Sequence, residues 1–192
     1  QMDVLYPCFC TRKDIMVEVN GAIRAPHEAT QGPDGPIYPG ICRRISLDER
    51  QSRIASGEAF AIRLNVAKAK ILAGNIQWIN LDEGIVTAIP QIFGDVVLAR
   101  KDIPTSYHLS VTVDDYLQHV TLVTRGEDLC QATHIHRLLQ ELLGYDVPKY
   151  RFHRLLFGKD GHRYSKRDAS ISLRSLRESG HPPDAIRKMV VL

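Results

Sequence analysis

The chain of 192 residues is 44% hydrophobic and 24% charged, with a net charge of +3. That length suits one domain, or one with a small appendage, and the composition excludes a disordered or collagen-like chain. No apolar run approaches the ~20 residues of a bilayer span, four cysteines do not make a secreted disulfide scaffold, and the opening Gln1 to Pro7 lacks the layout of a signal peptide, so a cytoplasmic protein without a membrane segment is expected.

In chain order, residues Tyr6 to Arg44 come first, punctuated by Pro7, Pro26, Gly32, Pro33, Gly35, Pro36, Pro39 and Gly40. Such a stretch reads as loop and needs an external staple to stay ordered. Ser46 with Glu49 forms a capping box, which predicts a helix to Ser56 that stops at Gly57. Phe60, Ile62, Leu64 and Val66 then alternate with other residues at the period of a half-buried strand. Further predicted strands are Ile76–Asn80, Asp95–Arg100, Tyr107–Val113 and His119–Thr124. A helix follows over about Gln131–Leu143, with Ile135, Leu138, Leu139 and Leu142 on one face and Gly144 as its stop. A strand near Arg151–Leu156, a turn at Asp160–Gly161 and helices at Ser172–Ser179 and Asp184–Val190 complete the pattern. Strand–helix–strand order from Thr105 onward is that of a doubly wound α/β sheet.

Charge is distributed unevenly. From Lys149 onward eleven basic residues face four acidic ones, a balance of +7 that leaves −4 for the first 148 residues. A basic concentration of this kind suits phosphate, on a nucleotide or a nucleic acid, although a solvated helix surface has the same composition.

Three groups of residues could carry chemistry. Cys8, Cys10 and Cys42 can converge from the two ends of the Pro/Gly-rich loop on one zinc ion, which takes four S, N or O ligands in a tetrahedron. On ligand chemistry alone His27 is the favoured fourth donor, and buried packing thiols are the alternative to a metal. Cys130, at a helix start, reads as inert. Arg125, in Arg125-Gly126-Glu127-Asp128, sits where an open α/β sheet binds ligands and could grip a carboxylate bidentately. Tyr107 could reach the same pocket, whereas a surface pair with Glu127 or Asp128 is the plain alternative for Arg125. Finally, Arg163-Tyr164-Ser165-Lys166-Arg167 follows the Asp160–Gly161 turn, and a basic loop with a lysine can neutralise triphosphate charge; a functionless exposed loop looks alike.

Taken together, "YPCFCTR", "IYPGICR", "PTSYHLSVTVDDYLQHVTLVTRGEDL" and "GHRYSKRD" resemble the class I glutamyl-tRNA synthetases, in the family's order and over nearly the whole chain. The resemblance implies an α/β fold: the second half of a Rossmann-like nucleotide-binding fold, with a zinc-bearing α+β insertion and the start of a C-terminal helical segment. It divides the chain into a zinc-binding loop region (1–45), an acceptor-binding-like insertion (46–104), the second half of the catalytic domain (105–158) and a KMSKS-like loop with following helices (159–192). It also implies an ATP-dependent ligase, its ATP accompanied by Mg2+, with L-glutamate and a tRNA as substrates and a monomeric state. Lys166 and Ser165 then contact ATP, with Lys166 catalytic, and Tyr107 and Arg125 bind glutamate.

Within the family the resemblance is nearest to a short paralogue that transfers glutamate to queuosine in the anticodon of tRNA(Asp). That paralogue's metal site has the form C-x-C…Y-x-x-x-C, which falls on Cys8, Cys10, Tyr38 and Cys42 and replaces His27 by Tyr38. Two features depart from the family. The HIGH-type signature is missing, so the chain is read as a fragment of a parent enzyme that would not activate glutamate alone. Arg163 and Tyr164 stand where the second signature has Lys and Leu or Met, with the charge kept. Rival expectations are the catalytic segment of a synthetase that charges the 3′ end of tRNA(Glu), and a non-catalytic zinc-stabilised RNA-binding module.

Overall fold

The computed structural model describes residues 2–23, 31–158, 161, 163–164 and 172–189, and divides into two compact units. The first comprises residues 1–123 and 131–150, the second residues 124–130 and 151–192.

In the first unit, β1 (Leu5–Cys8), β4 (Ala61–Leu64) and β7 (Val97–Ala99) form an antiparallel sheet with β4 in the centre. Leu5 pairs with Leu64 and Cys8 with Ala61. This register fixes the backbone of Cys8 at the end of an edge strand. Tyr6, Cys8, Leu64, Val66, Val96 and Leu98 are buried around this sheet.

Two helices appear where the sequence reading has none. α1 (Arg12–Ile23) occupies part of the expected loop. Thr11 and Asp14 cap it reciprocally: the Asp14 amide donates to Thr11 Oγ1 (3.2 Å) and the Thr11 amide donates to Asp14 Oδ2 (2.7 Å). The Pro/Gly punctuation is sparse until Pro26, so nothing in the local sequence opposes this capped helix. α3 (Val66–Ala73) follows β4 directly, with the Asn65 side chain accepting from the Lys68 amide. Two short strands, β2 (Gln31–Gly32) and β3 (Gly35–Pro36), pair antiparallel between them in the chain, and α2 (Leu47–Ala55) has the expected Ser46 cap on the Glu49 amide, 3.1 Å.

The segment from Tyr107 corrects an expectation. Tyr107–Val113, which carries the β-branched Val111, Thr112 and Val113, is read from sequence as a strand but opens a helix, α4 (Tyr107–Leu117). Thr112 Oγ1 bonds back to the His108 carbonyl (2.8 Å), and the buried Thr112 side chain lies in the first unit with α5 (Thr133–Leu143) packed alongside. Tertiary packing has overridden a propensity difference of well under ~1 kcal/mol per residue.

A second sheet has the order β6 (Gly84–Thr87), β5 (Gln77–Asn80), β9 (Lys149–His153), β8 (Leu122–Gly126). β5 and β6 form an antiparallel hairpin, and β5 runs parallel to β9 at Asn80 and Tyr150. α5 connects β8 to β9 in sequence. Its Ile135, Leu138 and Leu139 are buried, and Gly144 closes it at a positive φ of 68°. Ile135, Leu138, Leu139 and the Gly144 stop agree with the predicted face and terminus. In the second unit, α6 (Leu173–Glu178) and α7 (Pro183–Met189) follow as short helices. Among the described residues no helix is long and apolar enough to cross a membrane.

Candidate functional site

The three cysteines singled out by their spacing do converge. Their sulfurs lie within 4.8 Å of one another. Cys8 closes β1, Cys10 stands in irregular backbone just before Thr11, and Cys42 lies in a short 3-10 turn, Ile41–Arg43. Gly40 starts that turn at φ 79°, where a Cβ would come within 2.9 Å of the Arg43 guanidinium. Glycine is required there because side-chain-bearing residues are strained in this region. Tyr38 brings its hydroxyl into the same cluster, 3.4 Å from Cys8 Sγ and 3.5 Å from Cys10 Sγ; Cys10 and Cys42 sulfurs are 3.4 Å apart.

The donor set fits a tetrahedral metal ion. A Zn–S bond of about 2.3 Å places the ligands of a tetrahedron roughly 3.8 Å apart, close to the separations just given. Backbone amides are already aimed at two of the donors. The Cys42 amide donates to Tyr38 Oη (2.8 Å) and the Phe9 amide to Cys42 Sγ (3.3 Å), an arrangement that favours anionic ligands. Burial opposes ionisation of Cys42, but bonds from Tyr38, the Phe9 amide and Cys10 outweigh it and hold its thiol below its ordinary value. Burial pushes Cys10 up to about 12. It also drives the Tyr38 phenol far upward, reinforced by its contacts with Cys8 and Cys10. In the metal-free chain the phenol therefore keeps its proton, and only a strong local cation would release it. His27, the alternative fourth donor, lies outside the described residues.

A buried carboxylate braces this cluster. Asp95 accepts from Tyr6 Oη (2.6 Å), Arg43 Nη1 (2.9 Å) and the Val66 amide (3.1 Å). Burial, and then the bond to Asp95, raise the Tyr6 phenol far above its usual range, so it remains a donor. Arg63 Nη1 donates to the Asp95 carbonyl (2.7 Å), and its guanidinium lies 3.8 Å from the centre of the Tyr38 ring. Asp95→Ala strands the Tyr6 hydroxyl and the Val66 amide; a loss of about 3 kcal/mol in a denaturation midpoint experiment is expected, and an unchanged midpoint would show that the hub is dispensable.

Tyr107 is half exposed at the start of α4. It lines two cavities beside the thiol cluster. One, of about 350 Å3, also carries Tyr38, Arg63, Asp95 and His108. The other, of about 550 Å3, carries Cys8, Cys10, Arg63, Lys101 and Ser106. Sequence spacing gives no hint of this neighbourhood, because the residues come from separate elements far apart in the chain.

Arg125 belongs to the second unit, near the end of β8, with its guanidinium 5.7 Å from the centre of the Phe152 ring on β9. The neighbouring carboxylates have partners of their own. Asp128 pairs with Arg163 (2.8 Å), and Glu127 Oε1 accepts from the Leu155 amide (3.3 Å). Arg163 also faces Phe157 in an isolated bridge, and the Tyr164 amide donates to the Leu156 carbonyl (3.0 Å). The described part of the basic loop is thus held against the Arg125–Asp128 turn. Ser165 and Lys166 lie outside the described residues. Neither sequence motif anticipates this link between carboxylate and arginine, since either charge alone looks like ordinary surface.

Residues 4–192 match the catalytic domain of the tRNA synthetases class I (E and Q). The chain belongs to this family. It is 42% identical, over all of its length and 68% of the relative's, to the glutamyl-Q tRNA(Asp) synthetase of Rhodobacter capsulatus. It is 37% identical to the protein of the same name from Symbiobacterium thermophilum, over 95% of this chain and 53% of that one. The glutamate–tRNA ligase of Finegoldia magna is 32% identical over 97% of this chain and 36% of its own. The chain therefore spans about two thirds, a half and a third of these three curated relatives. The fold is similar to a solved glutamate tRNA ligase from Elizabethkingia meningosepticum, with a TM-score of 0.65 at 20% identity, covering 94% of this chain and 34% of that one. The expected mixed α/β fold of the class I glutamyl-tRNA synthetase type is thus observed, and the family is one of aminoacyl-tRNA ligases.

Proposed function

We propose that the protein of which this chain is part activates L-glutamate with ATP and transfers the glutamyl group to queuosine in the anticodon of tRNA(Asp). The observation that carries this reading is the meeting of Cys8, Cys10, Tyr38 and Cys42 around one point, the donor pattern C-x-C…Y-x-x-x-C that the family's short paralogue bears. The names of two similar relatives agree with it.

In this reading the phenol of Tyr107 and the guanidinium of Arg125 hold glutamate, and its α-carboxylate attacks the α-phosphorus of ATP. Lys166, with Ser165 beside it, binds the ATP phosphates and stabilises the charge that develops on departing pyrophosphate. Arg163, clamped by Asp128, anchors the loop that presents them. Positioning and electrostatics do most of the work, because phosphorus chemistry of this kind asks little covalent participation of the protein. Zinc, when bound by Cys8, Cys10, Tyr38 and Cys42, supplies a cross-link that orders the Pro/Gly-rich loop. The surplus of +7 from Lys149 onward provides counter-charge for RNA phosphates. Regions 1–45, 46–104, 105–158 and 159–192 serve as zinc loop, acceptor-binding insertion, catalytic half-domain and ATP loop.

The test supplies the whole protein with ATP, labelled glutamate and one of three acceptors: tRNA(Asp) with queuosine, tRNA(Asp) with guanosine at that position, or tRNA(Glu). Label is expected on the first alone. Charging of tRNA(Glu) at its 3′ end would replace this reading with that of a glutamate–tRNA ligase, and no pyrophosphate exchange with any acceptor would reject catalysis.

A further inference from the structure

We infer that Cys10 and Cys42 form a hydroperoxide-labile pair: oxidation expels the metal and joins these two sulfurs, so that a disulfide replaces the ion as the staple of the same loop. The inference rests on the metal reading above for its first half and on geometry alone for its second.

Within the cluster, the Cys10 and Cys42 sulfurs are in direct contact, at 3.4 Å. A disulfide needs an S–S bond of about 2.05 Å, so the sulfurs must approach by little more than an ångström. Cys10 lies in backbone outside any strand or helix, and Cys42 lies in a single short turn. Cys8, by contrast, is held in β1 by its pairing with Ala61. A Cys8–Cys10 link would span one intervening residue at the cost of strain. Cys130, in the second unit, is no part of the cluster.

Access also singles out Cys10. Cys8 and Cys42 are each 2% exposed, whereas Cys10 is only partly buried. Cys10 lines the cavity of about 550 Å3 that Tyr107 shares. It also lines a second cavity of about 470 Å3, together with Cys42, Arg53 and Lys101. A small hydroperoxide reaches Cys10 from either space; the first also carries Cys8 and the second also carries Cys42.

The chemistry balances. The Cys10 sulfur attacks one peroxide oxygen, the O–O bond breaks, and hydroxide leaves as a sulfenic acid forms. The Cys42 sulfur then attacks the Cys10 sulfur, the S–O bond breaks, and a second hydroxide leaves. The two sulfurs lose two electrons to the peroxide, and both hydroxides leave as water, with protons from the thiols in the metal-free chain or from solvent where the sulfurs are already thiolates; a bound metal loses two of its ligands to the new bond and is released as a dication. The new link joins the start of α1 to the turn at Cys42, across the stretch that the metal would otherwise cross-link.

The experiment treats the whole protein, after zinc loading, with hydrogen peroxide and reads three quantities: zinc released to a chromophoric chelator, intact mass, and disulfide-linked peptides. Expected are about one zinc released per chain, a mass lower by two hydrogens, a peptide joining Cys10 to Cys42, and reversal by a thiol reductant with zinc present. Cys130→Ser should leave all of these unchanged, and Cys42→Ser should abolish the linked peptide. A Cys8-containing disulfide, a dimer joined through Cys130, or sulfinic acid at Cys10 without a link would overturn the inference. Because the metal-free chain is oxidised in parallel, a protein that binds no zinc yet forms the Cys10–Cys42 link would reject the metal reading and leave the pair standing.

Discussion

Lys166→Ala in the whole protein is expected to slow glutamate-dependent pyrophosphate exchange by about 10²-fold or more, with the KM for glutamate changed less than about threefold. An ammonium that meets the leaving pyrophosphate acts where negative charge grows, so its loss falls on kcat and spares glutamate binding. The split between kcat and KM distinguishes this role from general damage to the fold. Asp128→Asn, which removes the charge paired with Arg163 at 2.8 Å, should instead raise the ATP KM. Exchange at the wild-type rate in Lys166→Ala would remove the lysine from the reaction.

The second large effect concerns the metal. About one zinc per chain is expected by metal analysis, and chelation should raise amide exchange across residues 6–44 by at least about tenfold while α5 stays protected. The reason is that, apart from the pairing of β1 with β4, the helix α1 and the β2–β3 pair, the described part of this stretch is tied down by a few groups: the Thr11–Asp14 cap, the Asp95 hub and the thiol–phenol cluster. Cys42→Ser removes a ligand that two other groups already contact, Cys10 Sγ and the Phe9 amide, and should weaken zinc binding by about 10²-fold or more. Metal analysis that finds none would leave these thiols as packing residues.

Local signals in the sequence suffice wherever one residue type meets a local requirement. Ser46 with Glu49 starts α2, Gly144 ends α5, and Ile135, Leu138 and Leu139 form the buried face of that second helix. Thr11 with Asp14 belongs to the same class of signal, but the weight of prolines further along the stretch obscures it.

The cluster of thiols is legible for a similar reason, since three cysteines at the two ends of an otherwise unstapled loop point to convergence. The choice of Tyr38 over His27 is not legible from ligand chemistry, which ranks imidazole above phenol; it comes from resemblance.

What the amino-acid sequence determined alone is therefore the family, the start of α2, the buried face and stop of α5, and the presence of a three-thiol group. Only the tertiary structure decided that Tyr107–Leu117 is a helix, because packing beside α5 outweighs the small strand preference of Val111 to Val113. Only it placed Arg163 on Asp128, and Tyr107 on the cavities beside Cys8, Cys10 and Tyr38. Those juxtapositions join residues tens of positions apart, and distance in space between such residues is set by the packing of whole elements, which no local pattern encodes.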